Sequence, residues 1–169
     1  MSRDDVARLF IGLWPDEPTR RALCAHRDAW QWPKRAAVMD DARLHATLHF
    51  LGDQPRELIA PLLQGLVRLH FLPFTLNLTT AALWHGGIAV LEPDEVPAEL
   101  RELHEEAGSL LQSLGLAVET RLYRPHVTLS RRAFGATPPP CVEPIVWTPA
   151  RPVLVESESG PPARYRVLG

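Results

Sequence analysis

His45-Ala46-Thr47-Leu48-His49-Phe50-Leu51-Gly52 and, far downstream, His126-Val127-Thr128-Leu129-Ser130-Arg131 repeat one pattern, His-x-Thr-Leu. Each copy sits in an apolar run with the β-branched and aromatic content of a strand. Successive side chains of a strand alternate faces, so His45 and Thr47 point one way, as do His126 and Thr128. Ala46, Leu48 and Phe50, and later Val127 and Leu129, then point the other way, into a core. Each strand would carry an imidazole and a hydroxyl on an open face above buried hydrocarbon. Two such strands facing one cleft bring two imidazoles together, one able to accept a proton while the other donates one. The same alternation puts His49 on the open face, either lining the cleft or in a structural or solvated role. It puts Arg131 opposite His126 unless the strand bulges or ends first, or the side chain reaches round the edge.

Outward from these segments the chain alternates short elements. Arg8–Trp14 reads as a buried strand, and Pro15–Thr19 opens a helix to about Trp30. Pro33 and Asp40-Asp41 mark a loop before the first motif strand, which Gly52-Asp53 closes. Pro55 to about Leu69 reads as a helix, with Leu58, Leu62, Leu66 and Leu69 at helical spacing. Phe74–Leu78 is a strand, and Trp84-His85-Gly86-Gly87 turns a hairpin into Ile88–Leu91. Glu95 to about Leu114 is the longest helix, with an apolar stripe through Leu100, Leu103, Ala107, Leu110 and Leu114 and a stop at Gly115. The second motif strand follows Pro125. Pro138-Pro139-Pro140 is a loop, and Ile145–Trp147, Val153–Glu156 and Tyr165–Leu168 are short strands. The order β-α-β-α-β-β-α-β-β-β-β lacks the regular alternation of a doubly wound sheet. It predicts an α+β fold of antiparallel sheets flanked by helices: two pseudo-symmetric lobes with the active-site cleft between them. No linker separates the lobes, so residues 1–169 are expected to form a single domain.

The chain has 169 residues, 46% hydrophobic and 22% charged, with a formal net charge of −2, the profile of an ordinary soluble protein. No apolar run is long enough to cross a membrane. The start, Met1-Ser2-Arg3-Asp4-Asp5 before a short apolar run, is too acidic and too short for a secretory signal. Cys24 and Cys141 have neither metal nor disulfide spacing and read as reduced thiols, so the cytoplasm is the expected compartment. The net charge argues against gripping long nucleic acid by bulk electrostatics. Locally, however, Arg121, Arg124, Arg131 and Arg132 bracket the second motif. Lys34 is the only lysine among 18 basic residues, a bias that points to genome composition more than to a site.

Competing chemistries fit poorly. His45 and His49 would share a helix face, but along a strand they stand roughly 13 Å apart, too far for one ion. His104-Glu105-Glu106 lacks the second histidine of a zinc-protease motif and reads as a solvated face. His26, His70, His85 and His104 have no companion pattern and read as half-buried rings with one backbone hydrogen bond each. No metal and no cofactor is expected. There is no nucleophile elbow, no phosphate-binding glycine loop and no lysine in a nucleotidyl-transfer context. Paired imidazoles titrating near neutrality are instead suited to phosphodiester chemistry without metal. Neighbouring threonines could bond the non-bridging oxygens, and arginine could neutralise the charge that develops there.

These two segments closely resemble the signatures of the 2H phosphoesterases. The similarity is greatest to the LigT-like branch, called RNA 2′,3′-cyclic phosphodiesterase or 2′-5′ RNA ligase, and it extends from the opening Arg-Leu-Phe-Ile-Gly-Leu strand to a closing Tyr-x-x-Leu at Tyr165–Leu168. The resemblance implies a bilobal α+β fold and hydrolysis of an RNA 2′,3′-cyclic phosphate end to a 2′-phosphate. His126 would activate water and His45 would protonate the leaving 3′-oxygen. Thr47 and Thr128 would hold the phosphate, and Arg131, at the family's arginine position, would bind it nearby. Implied partners are RNA ends or small nucleotides bearing the cyclic phosphate; the sequence itself, with no membrane-length apolar run and no exposed apolar heptad or edge motif, leads to the expectation of no membrane partner and a monomer. The alternatives are an ATP-independent, reversible 2′-5′ RNA ligase and a non-catalytic module that binds RNA ends. Phe10, Trp84 and Tyr165 are the candidates to stack a base.

Overall fold

A computed structural model describes residues 3–169; Met1 and Ser2, part of the segment read above for a secretory signal, lie outside the described residues. The strands are β1 (Val6–Leu13), β2 (Ala37–Val38), β3 (Ala46–Pro55), β4 (Leu76–Trp84), β5 (Ile88–Pro93), β6 (Val127–Arg131), β7 (Ile145–Trp147), β8 (Val153–Glu158) and β9 (Arg164–Val167). The helices are α1 (Glu17–Asp28), α2 (Ile59–Leu66) and α3 (Ala98–Ser113). All strand pairs are antiparallel. The expected α+β class and the expected order of elements are present, with β2 as an addition too short for any periodicity.

The sheet runs β7-β4-β5-β6-β3-β1-β8-β9, with β2 on β6. Apart from β2, it consists of two four-stranded halves whose inner strands are the motif strands β3 and β6. Those strands meet through one residue pair, Ala46 and Val127. The two lobes are therefore halves of one continuous ladder that narrows to a single pair where the histidines lie. Helices cross between halves: α1 follows β1 but packs on β7, and α3 follows β5 but packs on β3 and α2. One buried cluster, including Leu9, Ile11, Leu23, Leu62, Leu103 and Leu129, fills the space between helices and sheet.

Several boundaries differ from those the sequence predicts. The second helix does not begin at Pro55. Arg56–Leu58 is a 3-10 turn, and α2 starts at Ile59, which puts Pro61 in the first turn, where its missing N–H has no helical partner to lose. Its far end stops near Leu66, where the Arg151 guanidinium donates to the carbonyls of Val67 (3.1 Å) and Leu69 (2.7 Å). The third helix starts at Ala98, because Pro97 keeps Val96 out of helical conformation; its buried stripe runs through Leu111 rather than Leu110 and Leu114. Gly52 does not end β3. With φ of 72° it sits at a bulge against Leu9, and the strand continues to Pro55. β4 also runs on past Leu78 to the hairpin at Trp84. By contrast α1 begins where predicted, with the Asp16 carboxylate accepting from the Thr19 N–H at 2.9 Å.

Candidate active site

The two motif strands share more than the quoted tetrad. In β3 a bulge falls between Thr47 and His49, which face Gly12 and Ile11; in β6 a bulge falls between Thr128 and Ser130, which face Val90 and Ala89. Each motif thus carries an extra residue just after its threonine. The extra residue reverses the alternation that strict period-two reading assumes. His49 and Ser130 both turn to the helix side and are buried, at 6% and 0% exposure. The following residues, Phe50 and Arg131, return to the open side and are exposed. Arg131 accordingly rejoins His126, whose ring feels its charge. His49 does both things the alternation left open: it is buried and hydrogen-bonded, and with His104 it forms part of the wall of the cavity that Thr47 and His126 also line. Its Nε2 donates to the His104 carbonyl at 2.8 Å, and its ring stacks on His104, which stacks in turn on Tyr123, each at 4.1 Å. His104 is therefore a half-buried ring in this stack rather than part of a solvated face.

Both motif histidines are anchored in one way. His45 Nδ1 lies 2.7 Å from the Arg43 carbonyl oxygen, and His126 Nδ1 lies 2.9 Å from that of Arg124. A carbonyl only accepts, so each neutral ring carries its proton on Nδ1 and presents a bare Nε2. On His45 this nitrogen accepts from the Thr47 hydroxyl at 2.9 Å. Antiparallel continuation from the Ala46–Val127 pair sets His45 across from Thr128 and Thr47 across from His126. The histidines are close enough for their charges to interact.

The surroundings of the two rings differ. His45 stacks on Phe10 at 4.8 Å and Trp14 at 5.4 Å, with Tyr165 edge-on at 5.4 Å. Burial pushes its pKa from 6.5 down to about 4; the Arg43 carbonyl favours the proton, while His126 and the Arg43 and Arg20 guanidinium groups oppose it. His126 lies 4.4 Å from Trp84. Burial lowers its pKa too, but the Arg124 carbonyl and the Glu92 carboxylate pull the other way. Glu92 also accepts from Trp84 Nε1 at 2.6 Å and from Arg124 at 2.9 Å, fixing both beside His126.

Where β3 and β6 diverge, a cavity of about 440 Å³ opens between Thr47, Phe50, Trp84, Arg121, Tyr123 and His126. Tyr123 closes its floor by donating to the Thr47 carbonyl at 2.9 Å. Of the three candidate stacking aromatics, Trp84 lines this space. Phe10 is 4% exposed and already covers His45, and Tyr165 lies under the Arg43 guanidinium. The anchoring carbonyls, the Trp14 wall and the Tyr123 bridge escaped the sequence reading. The first had a visible signal, since Arg43-x-His45 and Arg124-x-His126 extend the repeat two residues upstream. Among the described residues no cluster of three or more His, Cys, Asp or Glu side chains could hold a metal ion, and no helix is long and apolar enough to cross a membrane. Cys24 and Cys141 are free.

Comparison with known proteins gives a consistent picture. The family described as LigT like phosphoesterase matches residues 13–89 and 91–146. An RNA 2′,3′-cyclic phosphodiesterase of Geobacillus stearothermophilus is 30% identical over 105 residues, covering 56% of this chain and 32% of that protein. One of the same name from Aeropyrum pernix is 28% identical over 104 residues, covering 56% of each. The match thus spans about one third to a little over half of these relatives' lengths. Among solved structures, E. coli LigT complexed with 3′-AMP superposes with a TM-score of 0.87 at 26% identity, over 98% of this chain and 97% of that one.

Proposed function

From the premise that the chain belongs to the LigT like phosphoesterase family, we propose that it hydrolyses 2′,3′-cyclic phosphate ends of RNA to 2′-phosphates, without a metal ion. The observation that carries this reading is the doubled anchoring of His45 and His126, each Nδ1–H on a carbonyl and each Nε2 left for proton transfer. The names of the two relatives support the substrate, and the complex of LigT with 3′-AMP supports a nucleotide as ligand.

His126 Nε2 takes a proton from water as its oxygen attacks phosphorus. The P–O3′ bond breaks, and His45, protonated at Nε2, gives its proton to the departing 3′-oxygen. One water is consumed, and the product is a 2′-phosphomonoester beside a free 3′-hydroxyl. Burial keeps His45 neutral in the empty site; the anionic phosphate supplies the opposing charge that lets it hold a proton when substrate is bound. Thr47 and Thr128 donate to the non-bridging oxygens, and Arg131 offsets the charge that builds on them.

Phosphorus NMR of the protein with an RNA oligomer ending in a 2′,3′-cyclic phosphate, in EDTA, tests this directly. A 2′-phosphomonoester resonance is expected. His45→Ala and His126→Ala should each slow its appearance by about 10²- to 10⁴-fold. An unchanged spectrum, a requirement for metal, or full activity in either variant overturns the reading. Joining to an added 5′-hydroxyl RNA would favour the ligase instead.

A further inference from the structure

Elsewhere among the described residues, exposed arginines either pair with a carboxylate, as Arg8, Arg21, Arg56, Arg124 and Arg166 do, or form no ion pair, as Arg68, Arg101, Arg151 and Arg164 do. At the far end of β6 four such unpaired cations are gathered around one depression and the strand end beside it. Lys34, Arg35, Arg131 and Arg132 are all exposed, and among the described residues none of them forms an ion pair. They come from two loops held side by side. Gln31 and Thr137 exchange backbone hydrogen bonds of 2.9 and 3.1 Å, and Ala37 pairs with Arg131. Trp30 and Trp32 stack at 4.9 Å with planes 2° apart, stiffening the first loop.

Pro33, Lys34, Arg35, Ala36, Arg132 and Phe134 line one open depression of about 700 Å³. The Phe134 ring is 66% exposed. It rests on Gly87 of the β4–β5 hairpin, where an added Cβ would stand 2.8 Å from the ring, and the next strand of support is the Ala133 N–H donating to the Gly87 carbonyl at 2.8 Å. Arg132 has φ of 51°, and no other non-glycine residue among those described has a positive φ. A backbone conformation natural to glycine is here given to an arginine, a cost that a use for its side chain would offset.

A seated, exposed aromatic ring among unneutralised cations has the chemistry of a single-stranded nucleic-acid site, where a base stacks and flanking phosphates meet positive charge. The patch also continues from the cleft. Arg131, whose charge reaches His126, is followed directly by Arg132 at the edge of the depression, so cleft and patch adjoin along β6. We propose that this surface carries the 5′ body of a single-stranded RNA whose 3′ end occupies the His45–His126 cleft, with a base on Phe134 and phosphates on Lys34, Arg35 and Arg132. The inference rests on the reaction proposed above and narrows its substrate from a mononucleotide to an oligonucleotide.

The test compares kcat/KM for a nucleoside 2′,3′-cyclic phosphate with that for an RNA octamer ending in the same group. It uses Phe134→Ala and the triple variant Lys34→Gln/Arg35→Gln/Arg132→Gln. Each should lower kcat/KM on the octamer on the order of tenfold and leave the mononucleotide rate unchanged. Binding of a 5′-labelled octamer, followed by fluorescence anisotropy in a His126→Ala background, removes turnover from the comparison. There the triple variant should reduce the slope of log Kd against log salt by about 2, at roughly 0.7 per lost phosphate contact. Equal losses on both substrates, or octamer binding that no variant weakens, overturns the proposal. If the parent protein hydrolyses neither substrate but the variants still weaken octamer binding, the surface stands and the reaction falls. Turnover of both substrates with no variant effect gives the reverse.

Discussion

The Phe10 and Trp14 rings and the burial they bring hold His45 near a pKa of about 4, while Glu92 beside His126 partly opposes the same tendency there. Both histidines are thus neutral in the empty site at neutral pH, and one of them must gain a proton for the proposed reaction to proceed. The pH dependence of kcat/KM reports the free enzyme, and that of kcat the complex. Both free-site pKa values are lowered from 6.5, so kcat/KM is expected to peak below pH 6.5 and fall as pH rises. The kcat profile should peak higher, because bound phosphate favours the protonated form. Trp14→Ala removes part of the apolar wall and should raise the His45 pKa towards 6.5, moving the kcat/KM optimum up with it. Proton NMR titration of His45 checks the cause, and an optimum that stays in place would show that another group sets it. These environments were not legible in the sequence. His45 and His126 have near-identical neighbours along the chain, and the difference comes from Trp14 on β1's end and Glu92 on β5, brought in by strand pairing.

At the scale of elements, the period-two pattern around each histidine was enough to give two half-buried strands and a shared face for His45 with Thr47 and for His126 with Thr128. It failed one residue further on, at His49 and Arg131, because a bulge inserts a residue without changing composition. Only the register against β1 and β5 reveals it. Helix ends were legible where a capping side chain marks them, as at Asp16, off by three or four residues where only a proline stood, at Pro55 and Pro97, and illegible where the stop comes from a distant residue such as Arg151. The narrow join between β3 and β6 is supported by an element that no local pattern announces, the His49–His104–Tyr123 stack with its hydrogen bond to the Thr47 carbonyl. Burial drives the Tyr123 hydroxyl pKa upward, so it remains a donor throughout the working range. Tyr123→Phe keeps the stack but leaves that carbonyl without its donor, at a cost of about 1–3 kcal/mol. A fall in melting temperature of about 2–4 °C per kcal/mol is expected, with a loss of activity as Thr47 and His45 lose their fixed relation to His126. An unchanged melting point would mean that the single Ala46–Val127 pair and the core suffice to hold the join.

For the whole molecule, the crossing of helices decides how the lobes behave. With α1 packed on β7 and α3 on β3, neither four-stranded half keeps its helix cover if the other opens. The lobes should therefore unfold together: Trp14, at the end of β1 in one half, and Trp84 and Trp147, on β4 and β7 in the other, should report a single denaturation midpoint by fluorescence of single-tryptophan variants. Two separated midpoints would make them independent units. The same core also sets the response to acid. His26, His45, His49, His104 and His126 all have pKa values lowered chiefly by burial, to about 4 for His45 and His104. The unfolded chain takes up protons near 6.5, where the folded one does not. The stabilising contribution of these neutral rings is complete above pH 6.5 and is lost as pH falls through the folded-state values. Each ring contributes up to about 1.4 kcal/mol per pH unit in that window, against a total stability of about 5–15 kcal/mol for an ordinary domain. The melting temperature should be nearly flat from pH 8 to 7 and then fall by on the order of 10 °C between pH 6.5 and 5. Bound phosphate should reduce this fall, since protonation of His45 or His126 then gains a partner. A melting temperature independent of pH down to 5, with or without phosphate, would mean that these rings are solvated rather than buried.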